Sequence, residues 1–307
     1  MSDLINRATD VRQTPQWANY LEKIGWLTKK IGNTQIYIHP NKLFKNSLVK
    51  IPHADNPIPI QEIEKEIKEH NPLFILIEPH IRGYNKEIYI QNGYQISHLR
   101  ASLTSTILVD ISKDENELLK SFSENARRNI KKAQKNNLTI KNIPLNTSEG
   151  QKNFEEFYNL YHKLGKIKKF YTLPKKECDH KKNAFINNSF LSIASDEKNT
   201  TIGAVWYAIC DQTLTYLHTG ITPKGYELLA NYLLVFEGIK YAKKKGCTVL
   251  DFESIYDERY KNENKKWIGF SEFKKKFRGE IIHYPPAWIK IYNIPYKLLY
   301  VCSSIFS

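Results

Sequence analysis

The chain has 307 residues, 41% of them apolar, which suits two domains of ordinary size and excludes wholesale disorder. Its four cysteines, Cys178, Cys210, Cys247 and Cys302, are scattered with no Cys-x-x-Cys pair, so neither a disulfide framework nor a metal site is expected. The net charge of +14 is concentrated: residues 120–141 carry seven basic side chains to one acid, 163–182 eight to two and 261–278 seven to two. Three basic patches on an otherwise near-neutral body point to a polyanionic partner.

The N-terminus, MSDLINRATD, has no apolar signal region, and no apolar run approaches the roughly 20 residues that span a bilayer, so a cytoplasmic location is expected. Short helices are expected near 15–25 and 60–70, and strands at TQIYIH (34–39), LFILIE (73–78) and STILVD (105–110). Ser112 and Glu115 form a capping-box pattern that opens one helix through about residue 135. On it Leu119, Phe122, Ala126, Ile130 and Ala133 share a face, with Arg127, Arg128, Lys131, Lys132 and Lys135 opposite.

A helix at FEEFYNLYHKL (154–164) is followed by strands at 189–195, 202–210 and 213–219. A long helix over about 226–245 has Leu229, Leu233, Phe236 and Ile239 on its apolar face and Gly246 past its end. The strand TVLDFE (248–253) comes next. The apolar tail, 288–307, reads as a returning strand with a packed terminus, or as a segment touching a membrane surface. This order is that of an acetyltransferase-like (GNAT) fold, and the chain reads as α/β with mixed sheets in two tandem GNAT-like domains, 1–143 plus 284–307 and 144–283.

In such a fold the strand–helix turn reads Arg/Gln-x-x-Gly-x-Gly/Ala, because backbone N–H groups at the helix start approach the coenzyme A pyrophosphate. Here the stretch is GITPKGYELLA, with only Gly225 near the helix start and Tyr226 directly after it. The missing cradle argues for an acyl donor other than an acyl-coenzyme A. Further on, GFSEFKKKFRGEI (269–281) sets three lysines between phenylalanines. At about 100° per residue Phe270, Phe273 and Phe277 form one stripe, Lys275 points away into solvent, and Lys274 borders the rings with its ammonium at their rim.

Four stretches carry a family resemblance: QWANYLEKIGW; TSTILVDISKDENELLKSFSENARRNIKKAQKNNLTI; GAVWYAI with LTYLHTGIT and its long helix; and DFESIY with GFSEFKKKFRGEI. They span most of the chain, which resembles the Fem family of peptidoglycan bridge aminoacyltransferases in its compact, arm-less form. The resemblance implies transfer of an amino acid from aminoacyl-tRNA to the stem-peptide amine of a UDP-linked or lipid-linked peptidoglycan precursor, in cell-wall biogenesis and cell shape. It implies aminoacyl-tRNA as co-substrate with no coenzyme A or other cofactor, and a place in the cytoplasm or peripheral at the inner membrane face. It also departs from the family pattern: Ser254 stands where the family often has Gly, Arg278-Gly279 where it has Gly-Gly, and after Trp17 the sequence ANYLEK offers only Lys23 for a phosphate-binding lysine.

By resemblance Phe273-Lys274 takes the catalytic position, Lys274 as the cation for the tetrahedral oxyanion and Phe273 packed beneath it or on the terminal adenosine. Lys275, Lys276, Arg278, Arg127 and Arg128 are expected on tRNA phosphates, and Lys168, Lys169, Tyr226 and Trp17 at the precursor. For the amine proton, His218, Glu237, Asp251 and Glu253 are candidates beside the ribose hydroxyl, and none is preferred. Two other readings stay open: an acyl-coenzyme A-dependent N-acyltransferase, and a non-catalytic RNA- or membrane-binding protein on the same scaffold. The intact Phe273-Lys274 pair weighs against the second.

Overall fold

The computed structural model describes residues 2–41, 45–261, 263, 265–293, 295–297 and 300. The apolar tail is described only in part: Trp288–Ile291 is the returning strand, and the end of the tail past residue 300 lies outside the described residues. The chain forms two compact units, Met1–Thr9 with Ser105–Ile282, and Asp10–Thr104 with His283–Ser307. Residues 105–143, expected with the first domain, belong with the sheet of the other unit. The cause is strand pairing: Ser105–Asp110 lies antiparallel to Val249–Asp251, and Thr139–Pro144 antiparallel to Ser189–Ser195.

The larger unit is built on a seven-stranded mixed sheet. Its order is Glu280–His283, Ser105–Asp110, Val249–Asp251, Thr213–Ile221, Thr201–Cys210, Ser189–Ser195 and Thr139–Pro144. One face is covered by the helix Ala230–Lys243, whose Leu233, Leu234, Phe236 and Ile239 join Val205, Tyr207 and Leu214 in the core. The helix Ser148–Lys168 packs against Thr201–Cys210 and Thr213–Ile221, setting Phe154 and Phe157 against Trp206. The expected helix from 112 is two helices, Glu115–Ser121 and Glu124–Lys135. Asp114, not Ser112, caps the first, and Ser123 caps the second by accepting from the Ala126 N–H at 3.2 Å. The long helix is likewise divided: Pro223–Glu227 is followed by Leu229 at φ +61° and then Ala230–Lys243.

The smaller unit is a six-stranded sheet ordered Leu27–Ile31, Thr34–Asn41, Asn46–Ala54, Pro72–Pro79, Trp288–Ile291 and Gln95–Ile96. The helix Ile60–Ile67 connects the parallel pair Asn46–Ala54 and Pro72–Pro79, burying Ile60, Ile63 and Ile67 on Ile51, Ile75 and Ile77.

Each unit holds one parallel pair joined through a helix, and the two pairs differ. In the smaller unit pairing runs from Ser47↔Pro72 to Ala54↔Pro79. Its end is filled by a buried cluster: His53 lies 2.6 Å from Asp10 and stacks on Tyr284 at 3.9 Å. Burial opposes the Asp10 charge, but Arg12 and His53 hold its carboxyl far below the usual carboxylate range. In the larger unit pairing covers Thr213↔Val249, Leu214↔Leu250 and Thr215↔Asp251, and then the strands part. Thr213–Ile221 runs on beside Thr201–Cys210, while the chain after Asp251 stays with Ser105–Ile107 through the Phe252 and Ile255 N–H groups. A wedge opens between them.

Candidate active site

Lys274 occupies this wedge. The helix Ile268–Lys275 and the turn after it dock Phe273 and Phe277 on the core beside Phe252 and Tyr232. Lys274 is thereby carried inward to 7% exposure, deeper than the rim position its spacing suggests. Its ammonium donates to the Phe252 carbonyl at 2.6 Å and the Ser254 carbonyl at 2.7 Å. Two alternate carbonyls can face one cation because Glu253 between them has φ +60°, in the left-handed region. The rings flanking the ammonium are Phe270 at 4.8 Å and Tyr216 at 5.6 Å. Phe273, expected beneath Lys274, packs edge-on to Tyr232 at 5.1 Å.

Among the described residues no carboxylate ion-pairs with Lys274. Burial pulls its pKa from 10.5 down to about 8, with Glu253 and Asp251 opposing the drop. At neutral pH the group is therefore mostly a cation, held by two carbonyl dipoles with one N–H still to donate. A positive charge so placed can stabilise an oxyanion that develops in the wedge.

The other expected residues divide into groups. Lys276 donates to the Tyr232 hydroxyl at 3.3 Å, and its carbonyl accepts from the Ser123 N–H, tying the lysine helix to the basic helix Glu124–Lys135. On that helix Arg128, Lys131, Lys132 and Lys135 are exposed. Arg127 is already occupied, donating to the carbonyls of Lys120 at 2.8 Å and Phe122 at 2.9 Å. Lys275, expected in solvent, is half-buried and paired with Glu272 at 2.9 Å. Arg278 is exposed and has φ +51°, which accounts for the glycine preferred at that position in the family resemblance. A Cβ at the following Gly279 would meet the Leu108 carbonyl at 2.4 Å.

Lys168 places its ammonium 5.9 Å from the Tyr226 ring, and Lys169 ends its helix at φ +56°. Trp17 belongs to the smaller unit, half-buried edge-on to Tyr20 and 5.4 Å from the Arg12 guanidinium. The proton-acceptor candidates His218, Glu237 and Asp251 are already engaged, and the charge of Glu253 supports the Lys274 ammonium. His218 accepts from Lys181 at 3.2 Å, and burial together with that ammonium holds its pKa well below the ordinary value. Glu237 pairs with Lys240, and Asp251 accepts from the Thr106 hydroxyl and the Glu253 N–H. Sequence reasoning missed Tyr216, Tyr232 and the two carbonyls, because no residue type announces where a carbonyl points.

The turn before Ala230–Lys243 is built for packing. Thr222 accepts from the Gly225 N–H at 3.0 Å, and a Cβ on Gly225 would meet the Ile202 carbonyl at 2.3 Å. Its lack of a side chain lets the turn approach a strand. Among the described residues no cluster could hold a metal ion, and no helix is long and apolar enough to cross a membrane.

The model of the FemAB family matches residues 166–303. In structure the chain is similar to FemX, with a TM-score of 0.79 at 16% identity over 97% of this chain and 96% of that one. It is also similar to the C-terminal domain of a putative lysylphosphatidylglycerol synthetase from Agrobacterium fabrum, with a TM-score of 0.62 at 12% identity over 99% and 96%. A tandem GNAT protein from the clavulanic acid biosynthesis pathway aligns with a TM-score of 0.50 at 8% identity over 85% and 81%. No curated protein matches the sequence. These likenesses place the chain in the mixed α/β, tandem acetyltransferase-like fold.

Proposed function

We propose that this chain, whose residues 166–303 match the model of the FemAB family, is an aminoacyltransferase that joins an amino acid from aminoacyl-tRNA to the stem-peptide amine of a peptidoglycan precursor. The observation that carries the reading is the Lys274 ammonium, buried where two parallel strands part and donating to two carbonyls, with no carboxylate in ion-pair contact among the described residues. The charges of Glu253 and Asp251 offset only part of the burial cost, so the cation still favours an anion that develops beside it.

The reaction is aminolysis of an ester. The amine nitrogen forms a bond to the ester carbonyl carbon, the carbonyl oxygen takes negative charge beside Lys274, and the carbon–ribose oxygen bond then breaks. The amine proton passes to the leaving oxygen, with the neighbouring ribose hydroxyl as relay. The exposed cations of Glu124–Lys135, joined to the lysine helix through Ser123 and Lys276, suit the RNA phosphates. Lys168, Lys169 and Tyr226 suit the precursor. The packed turn at Gly225, whose N–H is capped by Thr222, supports a donor other than acyl-coenzyme A.

Incubating the protein with charged tRNAs and with UDP-linked and lipid-linked precursors tests the proposal. The expected product is a precursor heavier by one aminoacyl residue. No product with any charged tRNA, alongside transfer from an acyl-coenzyme A, would replace this reading with the N-acyltransferase one.

A further inference from the structure

Two of the three basic stretches meet on one face of the larger unit. The end of Ser148–Lys168 lies against the segment leading into Ile268–Lys275, where the Lys266 ammonium donates to the Lys169 carbonyl at 3.0 Å. The short helix Pro223–Glu227 joins them through the Lys168–Tyr226 contact. Four large apolar side chains stand exposed on these elements: Tyr171 at 74%, Ile167 at 56%, Ile268 at 44% and Tyr226 at 42%. Across 166–171, 223–227 and 265–268 there are six lysines and one acid, Glu227; Lys224 is paired with Asp196 at 2.5 Å, which leaves five lysines for an anionic partner.

We propose that this face docks on an anionic lipid bilayer. Ile167, Ile268 and Tyr171 enter the boundary between headgroups and acyl chains, and the lysines other than Lys224 meet lipid phosphates. A nucleic acid would use the lysines and tyrosines, but an isoleucine offers no ring on which a base can stack. Burial in lipid accounts for both isoleucines and for the interleaved charge. Ile268 opens the helix that carries Lys274, so docking brings the wedge to the bilayer surface. On the transferase reading, which this last step rests on, the acceptor is then the lipid-linked precursor.

Sedimentation of the full-length protein with vesicles of phosphatidylglycerol and phosphatidylcholine, and with phosphatidylcholine alone, tests the docking. Wild type is expected to pellet with the anionic vesicles, less so as salt rises. The variant Ile167→Ser/Tyr171→Ser/Ile268→Ser should partition at least about tenfold more weakly, with an unchanged circular dichroism spectrum because all three side chains are exposed. Equal pelleting of wild type with both vesicle types, or equal binding by the variant, overturns the proposal. So does a variant that keeps vesicle binding but loses binding to a single-stranded RNA oligomer. No transfer enters this readout, so a failure of the transferase reading would leave the vesicle result standing.

Discussion

Replacing Lys274 by Met removes the ammonium and keeps an unbranched chain between Phe270 and Tyr216. Two effects follow, and they are measured separately. Burial lowers the Lys274 pKa from 10.5 to about 8, a penalty on the charged form of about 3 kcal/mol at about 1.4 kcal/mol per tenfold change. The unfolded chain keeps this proton up to about pH 10.5, whereas the folded chain releases it near pH 8. Between those values the unfolded state binds more protons, so the lysine's cost to stability, fully present below pH 8, is relieved as pH rises. Methionine does not titrate. The stability difference between wild type and Lys274→Met should therefore move by about 3 kcal/mol in favour of wild type between pH 7 and pH 10.5. The constant cost of leaving the two carbonyls without a donor cancels from this change. Urea unfolding of both proteins across the range reads it. In single-turnover transfer, the variant should be slower by on the order of 10²–10³, as for loss of an oxyanion donor. The ratio of wild type to variant should shrink above pH 8 as the ammonium is lost. A stability difference independent of pH would refute the buried cation, and near-normal transfer by the variant would refute its catalytic role.

Arg127→Ser should lower stability by about 1–2 kcal/mol, because its guanidinium bridges two carbonyls, while Arg128→Ser should leave stability unchanged; thermal melts distinguish them. If the ridge binds tRNA, Arg128→Ser with Lys131→Ser should weaken binding and reduce its salt slope by roughly two, and unchanged binding would make the ridge solvent decoration. Arg278→Gly should raise stability by about 1 kcal/mol, since the arginine holds a left-handed φ that glycine adopts without strain; a lower melting temperature would show that the arginine side chain contributes contacts of its own. Titration calorimetry with coenzyme A should give no heat, and a saturable signal would favour the N-acyltransferase reading.

Strands with strong apolar patterning were legible in the sequence: STILVD and SFLSIAS occupy the expected residues. Helix existence was equally legible, but helix continuity was not. Ser123 and Leu229 interrupt runs whose periodicity continues on both sides, because capping and a local left-handed turn leave the apolar spacing almost intact. The division into units was misread because residues 105–143 are adjacent in sequence to one sheet and hydrogen-bonded into the other, and pairing partners leave no mark on a single strand. Lys274 was legible as the lysine nearest the rings. Its depth was not, because that depends on carbonyls turned by the backbone at Glu253, where the side chain gives no sign of φ +60°.

The closed strand pair in the smaller unit bears on stoichiometry. The chain repeats one architectural plan, yet the Asn46–Ala54 and Pro72–Pro79 edge is zipped to its end and stoppered by His53. On the proposed transferase reading, titration with a non-reacting aminoacyl-tRNA analogue would therefore count one site per polypeptide rather than two.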